Sequence, residues 1–502
     1  MRFPRRSGIL LHPTSLPGPH GSGDFGPAAY HFVDWLVSGG QKLWQILPLG
    51  GIGPGNSPYM SSSAFAGNLL LIDLGELQQR GWLDEADLAP VPGMDETKLD
   101  FSVVHPYRMD RLARAAARFA ASASAADRAE LAAFAAAQAS WLDDYALFMT
   151  LAEHHGWRDW CEWDAPLAGR KAAALRAARK THAERIAFWT FCQWSFFRQW
   201  QRLRAYANER GVLIVGDAPI FIAYNSAECW ARPELFELGA DGRPTVVAGV
   251  PPDAFAATGQ RWGNPLYRWK AHAKEKYAWW IERVRRSFEL VDIVRIDHFR
   301  GFAGYWEIPA REPTAINGRW VPGPGAALFS AIAQALGPLP IIAEDLGVIT
   351  PDVDALRKQF GLPGMCILQF AWGEAEDDAA AAESRFLPHH HTPDTVVYAG
   401  SHDNDTTLGW WASAPEPVRH HLREYLASDG NTPHWDLIRT ACASVADTAV
   451  HPMQDVLGLG AEARMNFPGT SEGNWVWRFR WADVPADVAV RLRRYGVLYG
   501  RS

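Results

Sequence analysis

Four apolar runs of this chain end in an acid. They are Asp217 in LIVGDAP, Asp297 in IVRIDHF, Glu344 in PIIAEDLG and Asp403 in AGSHDND. Burying one carboxylate costs several kcal/mol unless it is paired. A single such residue reads equally well as the cap of a following helix. Four of them, on separate runs, read as a convergent set. Arg295 and Asp297 are two apart, so on a strand they point to the same face. A guanidinium beside a carboxylate lowers its pKa and keeps it ionised, as a nucleophile requires. Glu344 follows Ile341, Ile342 and Ala343 and has no adjacent basic residue. Desolvation then raises its pKa and suits it to general acid work. Two carboxylates with pKa values pushed apart are the pattern of glycoside chemistry. His298 and His402 flank two of the acids and can bond hydroxyls, although a histidine there serves equally as a packed core residue.

Such acids must be placed by strands. The apolar runs are GILLHPTSL (8–16), KLWQILPL (42–49), NLLLIDL (68–74), GVLIVGDAPIFI (211–222), LVDIVRIDHF (290–299), LPIIAEDLG (339–347), MCILQF (365–370) and TVVYAGSHDN (395–404). Apolar runs rich in branched residues suit parallel strands buried on both faces. Helical stretches such as PAAYHFVDWLVSGG (27–40) lie between them, which indicates βαβ units. The predicted fold is α/β, a single (β/α)₈ TIM barrel over 1–502 rather than a doubly wound sheet, because a barrel gathers strand-end acids on one rim. Two insertions are expected. Residues 76–200 are rich in Ala, Arg and Trp and read as helical. Residues 223–289 begin as loop and end in a helix. The polar stretch 373–392 reads as an exposed loop.

Composition bounds the partners. The 502 residues are 48% apolar and 21% charged, which excludes a disordered or collagen-like chain. A net charge of −7 argues against nucleic-acid binding. No apolar run approaches the roughly 18 residues of a membrane span, and the N-terminal apolar stretch, GILL, is too short for a secretory signal. Five scattered cysteines without CxxC spacing fit a reducing compartment, so a cytoplasmic protein is expected. Tryptophan stands out, at 24 residues. Its flat face either packs a core or stacks on flat ligands. Trp157, Trp160 and Trp163, at i+3 spacing, read as helix packing.

Motifs run through nearly the whole chain: LHPTSLPGPHGSGDFG (11–26), WQILPLG (44–50), SPYMSSSAFAGN (57–68), VGDAPIFIA (215–223), PPDAFAATGQRWGNPLYRW (251–269), VRIDHFRG (294–301), AEDLG (343–347), SHDNDT (401–406), MNFPG and GNWVWR (465–478). On these the sequence resembles the amylomaltases, or 4-α-glucanotransferases. The resemblance implies a (β/α)₈ barrel related to the α-amylases without their C-terminal β-sandwich. It implies transfer of α-1,4-glucan segments from a maltooligosaccharide or starch donor to a glucose or glucan acceptor, with no metal or cofactor. It further implies Asp297 as nucleophile, Glu344 as acid/base, and Asp403 as the residue holding the sugar's secondary hydroxyls. Arg295, His298, His402 and Asp217 would line the donor subsite. Trp262 and Tyr59 would contact the glucan, with Asn466 and Ser57 nearby. The segment from Gly249 to Trp262, with Phe255 at its centre, is expected to act as a substrate loop that covers the intermediate.

Other motifs carry less. Gly21 to Gly26 fits GxGxxG, but Pro17 and Pro19 intervene and the next strand lacks the ribose-binding acid. His389–His391 and His154–His155 lack metal-ligand spacing. Two rival readings remain at this level: an α-glucan hydrolase on the same barrel, and a glucan-binding protein without activity.

Overall fold

The computed structural model describes residues 3–253, 256–373 and 383–502. The described strands are β1 (Arg6–Leu10), β2 (Leu43–Gln45), β3 (Leu213–Pro219), β4 (Val246–Val250), β5 (Gln260–Pro265), β6 (Ile293–Asp297), β7 (Gly304–Pro309), β8 (Arg319–Pro322), β9 (Ile341–Ala343), β10 (Gly364–Ile367), β11 (Thr395–Tyr398) and β12 (Thr448–Pro452). Eight of them form one parallel sheet in the order β10-β11-β12-β1-β2-β3-β6-β9. The Ala343 N–H at the end of β9 donates to the Pro363 carbonyl before β10 at 2.9 Å, which joins the two outer strands. The strands therefore follow one another around a barrel in chain order, as a (β/α)₈ fold requires.

Seven of the eight apolar runs supply barrel strands. The exception is NLLLIDL. Leu69–Leu71 form a 3₁₀ turn and Leu74 opens a helix capped by Asp73, whose Oδ1 accepts the Gly75 N–H at 2.8 Å. A short apolar run satisfies a buried turn as well as a strand, and Asn68 and Asp73 supply the caps. The eighth strand is β12, TAVHP, which is buried throughout and pairs with β1 and β11. Its brevity and its terminal His-Pro hide it from a hydropathy reading.

The segment 223–289 holds more than loop and helix. Its β4 and β5 join β7 and β8 in an antiparallel sheet, β5-β4-β7-β8. The segment 76–200 carries helices Phe101–Ser122, Ala125–Ala137, Leu142–His154 and Ala172–Thr181. A longer helix, Ala183–Glu209, runs beyond it into the barrel, where the Trp200 indole N–H donates to the Leu290 carbonyl at 2.8 Å. The expectation for the i+3 tryptophans fails in detail. Trp157 is 57% exposed with φ 61°, and Trp160 and Trp163 are buried but lie outside any α-helix, because the preceding helix stops at His154. No helix among the described residues is long and apolar enough to cross a membrane.

Candidate active site

The strand register assembles the site. β3 and β6 pair so that Asp217 lies opposite Arg295 and Pro219 opposite Asp297. Asp297 ends β6, Glu344 follows β9 directly, and Asp403 stands on the loop after β11. All four acids thus lie at the C-terminal rim, where barrel enzymes carry out their chemistry.

One guanidinium nitrogen organises two of them. Arg295 Nη1 donates to Asp217 Oδ2 at 2.6 Å and to Asp297 Oδ1 at 3.0 Å. The Arg295 and Asp217 side chains are closed off from solvent, while Asp297 keeps 29% of its side chain open to the cleft. Burial works against the Arg295 charge, yet Asp217 and Asp297 outweigh it and hold the guanidinium firmly protonated. The low pKa expected for Asp297 does not result. Burial pushes it up to about 6; Arg295 pulls it down, but Asp217 and Asp403 push it back up. Burial outweighs the guanidinium, whose Nη1 is shared with Asp217 and so does not serve Asp297 alone.

Glu344 behaves as anticipated. Burial raises it to about 7; Arg295 opposes that, and Asp297 adds to it. Two backbone donors meet its carboxylate, His298 N–H on Oε2 and Leu346 N–H on Oε1, each at 2.7 Å. His298 reaches this position with left-handed backbone, φ 53°. Such a conformation in a non-glycine residue persists only where the surroundings enforce it. Burial, with Arg300 nearby, holds the imidazole pKa at about 3, so His298 is neutral. Its Nε2 has no protein partner, and neither does Asp217 Oδ1. The Trp262 ring meets His298 edge-on at 4.8 Å.

Across the cleft, Tyr59 OH donates to Asp217 Oδ2 at 2.8 Å and lies 2.8 Å from His402 Nε2. Its donor is committed to Asp217, so its oxygen accepts from His402 Nε2–H. The two rings stack at 5.5 Å. Ser57 acts one step back: its Oγ accepts the Tyr59 N–H at 3.2 Å and caps the turn that presents Tyr59. Asn466 Nδ2 donates to Asp403 Oδ1 at 2.6 Å.

With His402 Nε2 also 3.5 Å from Asp403 Oδ2, these contacts bring Tyr59, Asp217, Arg295, Asp297, Asp403, His402 and Asn466 into one network. Glu344, His298 and Trp262 are joined to it through the end of β6. Phe255 lies outside the described residues. Two participants escaped the sequence reading. Arg464 Nη2 holds the Asp403 carbonyl at 2.7 Å. Trp475, with φ 65°, packs beside Tyr59 and His402 at 5.9 and 6.1 Å. Both fall beside or within the MNFPG and GNWVWR motifs, so only their distance in sequence from the acids concealed them.

A family model described as 4-alpha-glucanotransferase matches residues 11–483. The 4-alpha-glucanotransferase of Thermus thermophilus is 50% identical over 501 residues, covering 98% of both chains. That of Synechocystis is 45% identical, covering 99% of this chain and 98% of its own. The amylomaltase of Streptococcus agalactiae, solved in complex with acarbose, superposes with a TM-score of 0.95 at 39% identity, covering 99% of this chain and 100% of that one. This chain therefore belongs to the 4-α-glucanotransferase family, the amylomaltases.

Proposed function

We propose that this chain transfers α-1,4-glucan segments by a retaining double displacement in which Asp297 is the nucleophile and Glu344 the acid/base. Asp297 attacks C1 of the donor sugar while Glu344 protonates the departing 4-oxygen. The glycosyl ester then waits. An acceptor 4-hydroxyl gives its proton to Glu344 and attacks C1, which releases Asp297. Asp403, steadied by Asn466 and by Arg464 on its carbonyl, holds the donor's secondary hydroxyls as the ring flattens toward the oxocarbenium state. The unpaired Asp217 Oδ1 and His298 Nε2 are further sites for sugar hydroxyls. Tyr59 and Trp262 supply aromatic surface for the pyranose rings.

The observation that carries this reading is the unequal treatment of the two acids. Asp297 has a cation at 3.0 Å that favours its ionised form. Glu344 hydrogen-bonds only backbone donors among the described residues, and burial raises its pKa to about 7. The substrates are maltooligosaccharides and larger α-glucans, with glucose or a glucan end as acceptor. The five free thiols support a cytoplasmic setting.

Incubation with maltotriose alone tests the reaction. A ladder of longer maltooligosaccharides is expected; glucose and maltose alone would mean hydrolysis. Asp297→Asn is expected to abolish the ladder while maltooligosaccharide binding survives, and turnover by that variant would refute the nucleophile.

A further inference from the structure

We infer that Arg300 is a positioning residue for the acid/base, tying together the two chain segments that hold the Glu344 carboxylate. The inference rests on Glu344 being the acid/base.

The two backbone donors on Glu344 come from different elements. His298 N–H belongs to the turn after β6, and Leu346 N–H to the loop after β9. Arg300 sits two residues past His298, in the 3₁₀ turn Phe299–Phe302. Its Nη1 donates at 2.6 Å to the carbonyl of Val348, two residues past Leu346. One guanidinium therefore spans both donors. The loop needs such a tie, because no regular element intervenes before the helix at Pro351 and Val348 is 63% exposed. The near end of the loop is anchored from the opposite side. Asp345 Oδ1 accepts the Met365 N–H at 2.7 Å, and its carbonyl accepts from Arg385 Nη2 at 2.5 Å. Leu346, the donor on Glu344, stands between these anchors in the chain.

The guanidinium is itself held. It is 8% exposed and lies 3.8 Å from the Trp320 ring centroid, on edge strand β8. Its Nε has no partner. The charge meets an indole and one carbonyl directly, with the Asp352 carboxylate acting from further off, and burying it so is a poor device for stability alone. It suits a geometric task, because the stacked planar fork has few orientations to sample.

The groups facing Glu344 are Arg295 and Asp297 from β6, with the His298 and Leu346 N–H groups. Losing Arg300 leaves the first three in place and frees Leu346. An N–H donor favours the charged carboxylate, so its withdrawal keeps Glu344 protonated to higher pH. The alkaline limb of the rate profile then moves up.

The test is kcat/KM for maltotriose disproportionation against pH. Arg300→Gln is expected to lower the optimum rate by about 100-fold and to raise the alkaline limb by about one pH unit. Arg300→Lys, which still reaches the Val348 carbonyl, is expected to recover most of both. Trp320→Ala is expected to move the limb the same way by less, and Trp320→Phe not at all. An unmoved limb in folded Arg300→Gln overturns the inference, whatever the rate. If that variant does not fold, an unmoved limb in Trp320→Ala overturns it. Glu344→Gln separates the two readings: if it keeps the wild-type alkaline limb, the acid/base assignment fails independently of Arg300.

Discussion

Arg295 divides one nitrogen between Asp217 and Asp297, and this division sets the working pH. As the proposed nucleophile Asp297 must be ionised to attack, so activity is expected to be lost as pH falls through about 6. As the proposed acid/base Glu344 must be protonated to assist departure, so activity is expected to be lost as pH rises through about 7. A narrow bell in kcat/KM, with limbs near those values, is the expected profile. A flat profile between pH 5 and 8 would contradict it. The same values carry a stability consequence. Both folded pKa values lie above the ordinary carboxylate range, so ionising either group costs native stability. That cost is absent below about pH 4, grows as pH rises, and is complete once pH exceeds the folded value. Asp297→Asn and Glu344→Gln are therefore expected to stabilise the protein by about 1–3 kcal/mol at pH 8. At pH 4 they should have little effect. Denaturant unfolding at the two pH values measures the difference.

At the scale of elements, the site depends on how closely the strands approach. Gly8 in β1 pairs with Leu43 in β2, and a methyl group on Gly8 would lie 2.3 Å from Leu43 Cβ and 2.4 Å from its carbonyl oxygen. Backbone cannot yield there as a flexible side chain would. Gly8→Ala is expected to destabilise the protein by about 3 kcal/mol, read as a lowered unfolding midpoint. Element types were largely legible in the sequence. Runs such as Ile293–Val294 and Ile341–Ile342 read as buried strands and form them, and each carries an acid at its end. NLLLIDL was not legible, because hydropathy alone cannot separate a capped turn from a strand. Nor was the β5-β4-β7-β8 sheet, whose β4 and β7 pair although β5, two α-helices and β6 lie between them in the chain.

At the scale of the whole molecule, one buried arginine ties the barrel together where β1 meets β12. Arg501 is fully buried and donates to six carbonyls. Arg6 and Asp447 are among them, so it stitches the start of β1 to the approach of β12. Arg501→Ala would remove all six bonds at once, although the Ala446, Cys442 and Asp447 carbonyls keep a second donor, from Arg5 or the Arg6 N–H. A loss of about 3–5 kcal/mol is expected, measurable by thermal or denaturant unfolding. By itself the sequence determined the barrel, the identity of the acids and their place at strand ends, because side-chain periodicity and hydropathy are local properties. Tertiary structure decided the rest. That Asp297 shares its cation with Asp217, that Tyr59 and His402 form one pair, and that Arg464 and Trp475 belong to the site all depend on strand register and on loops that meet only after folding. Charge coupling falls off within a few ångströms, so no reading along the chain could assign it.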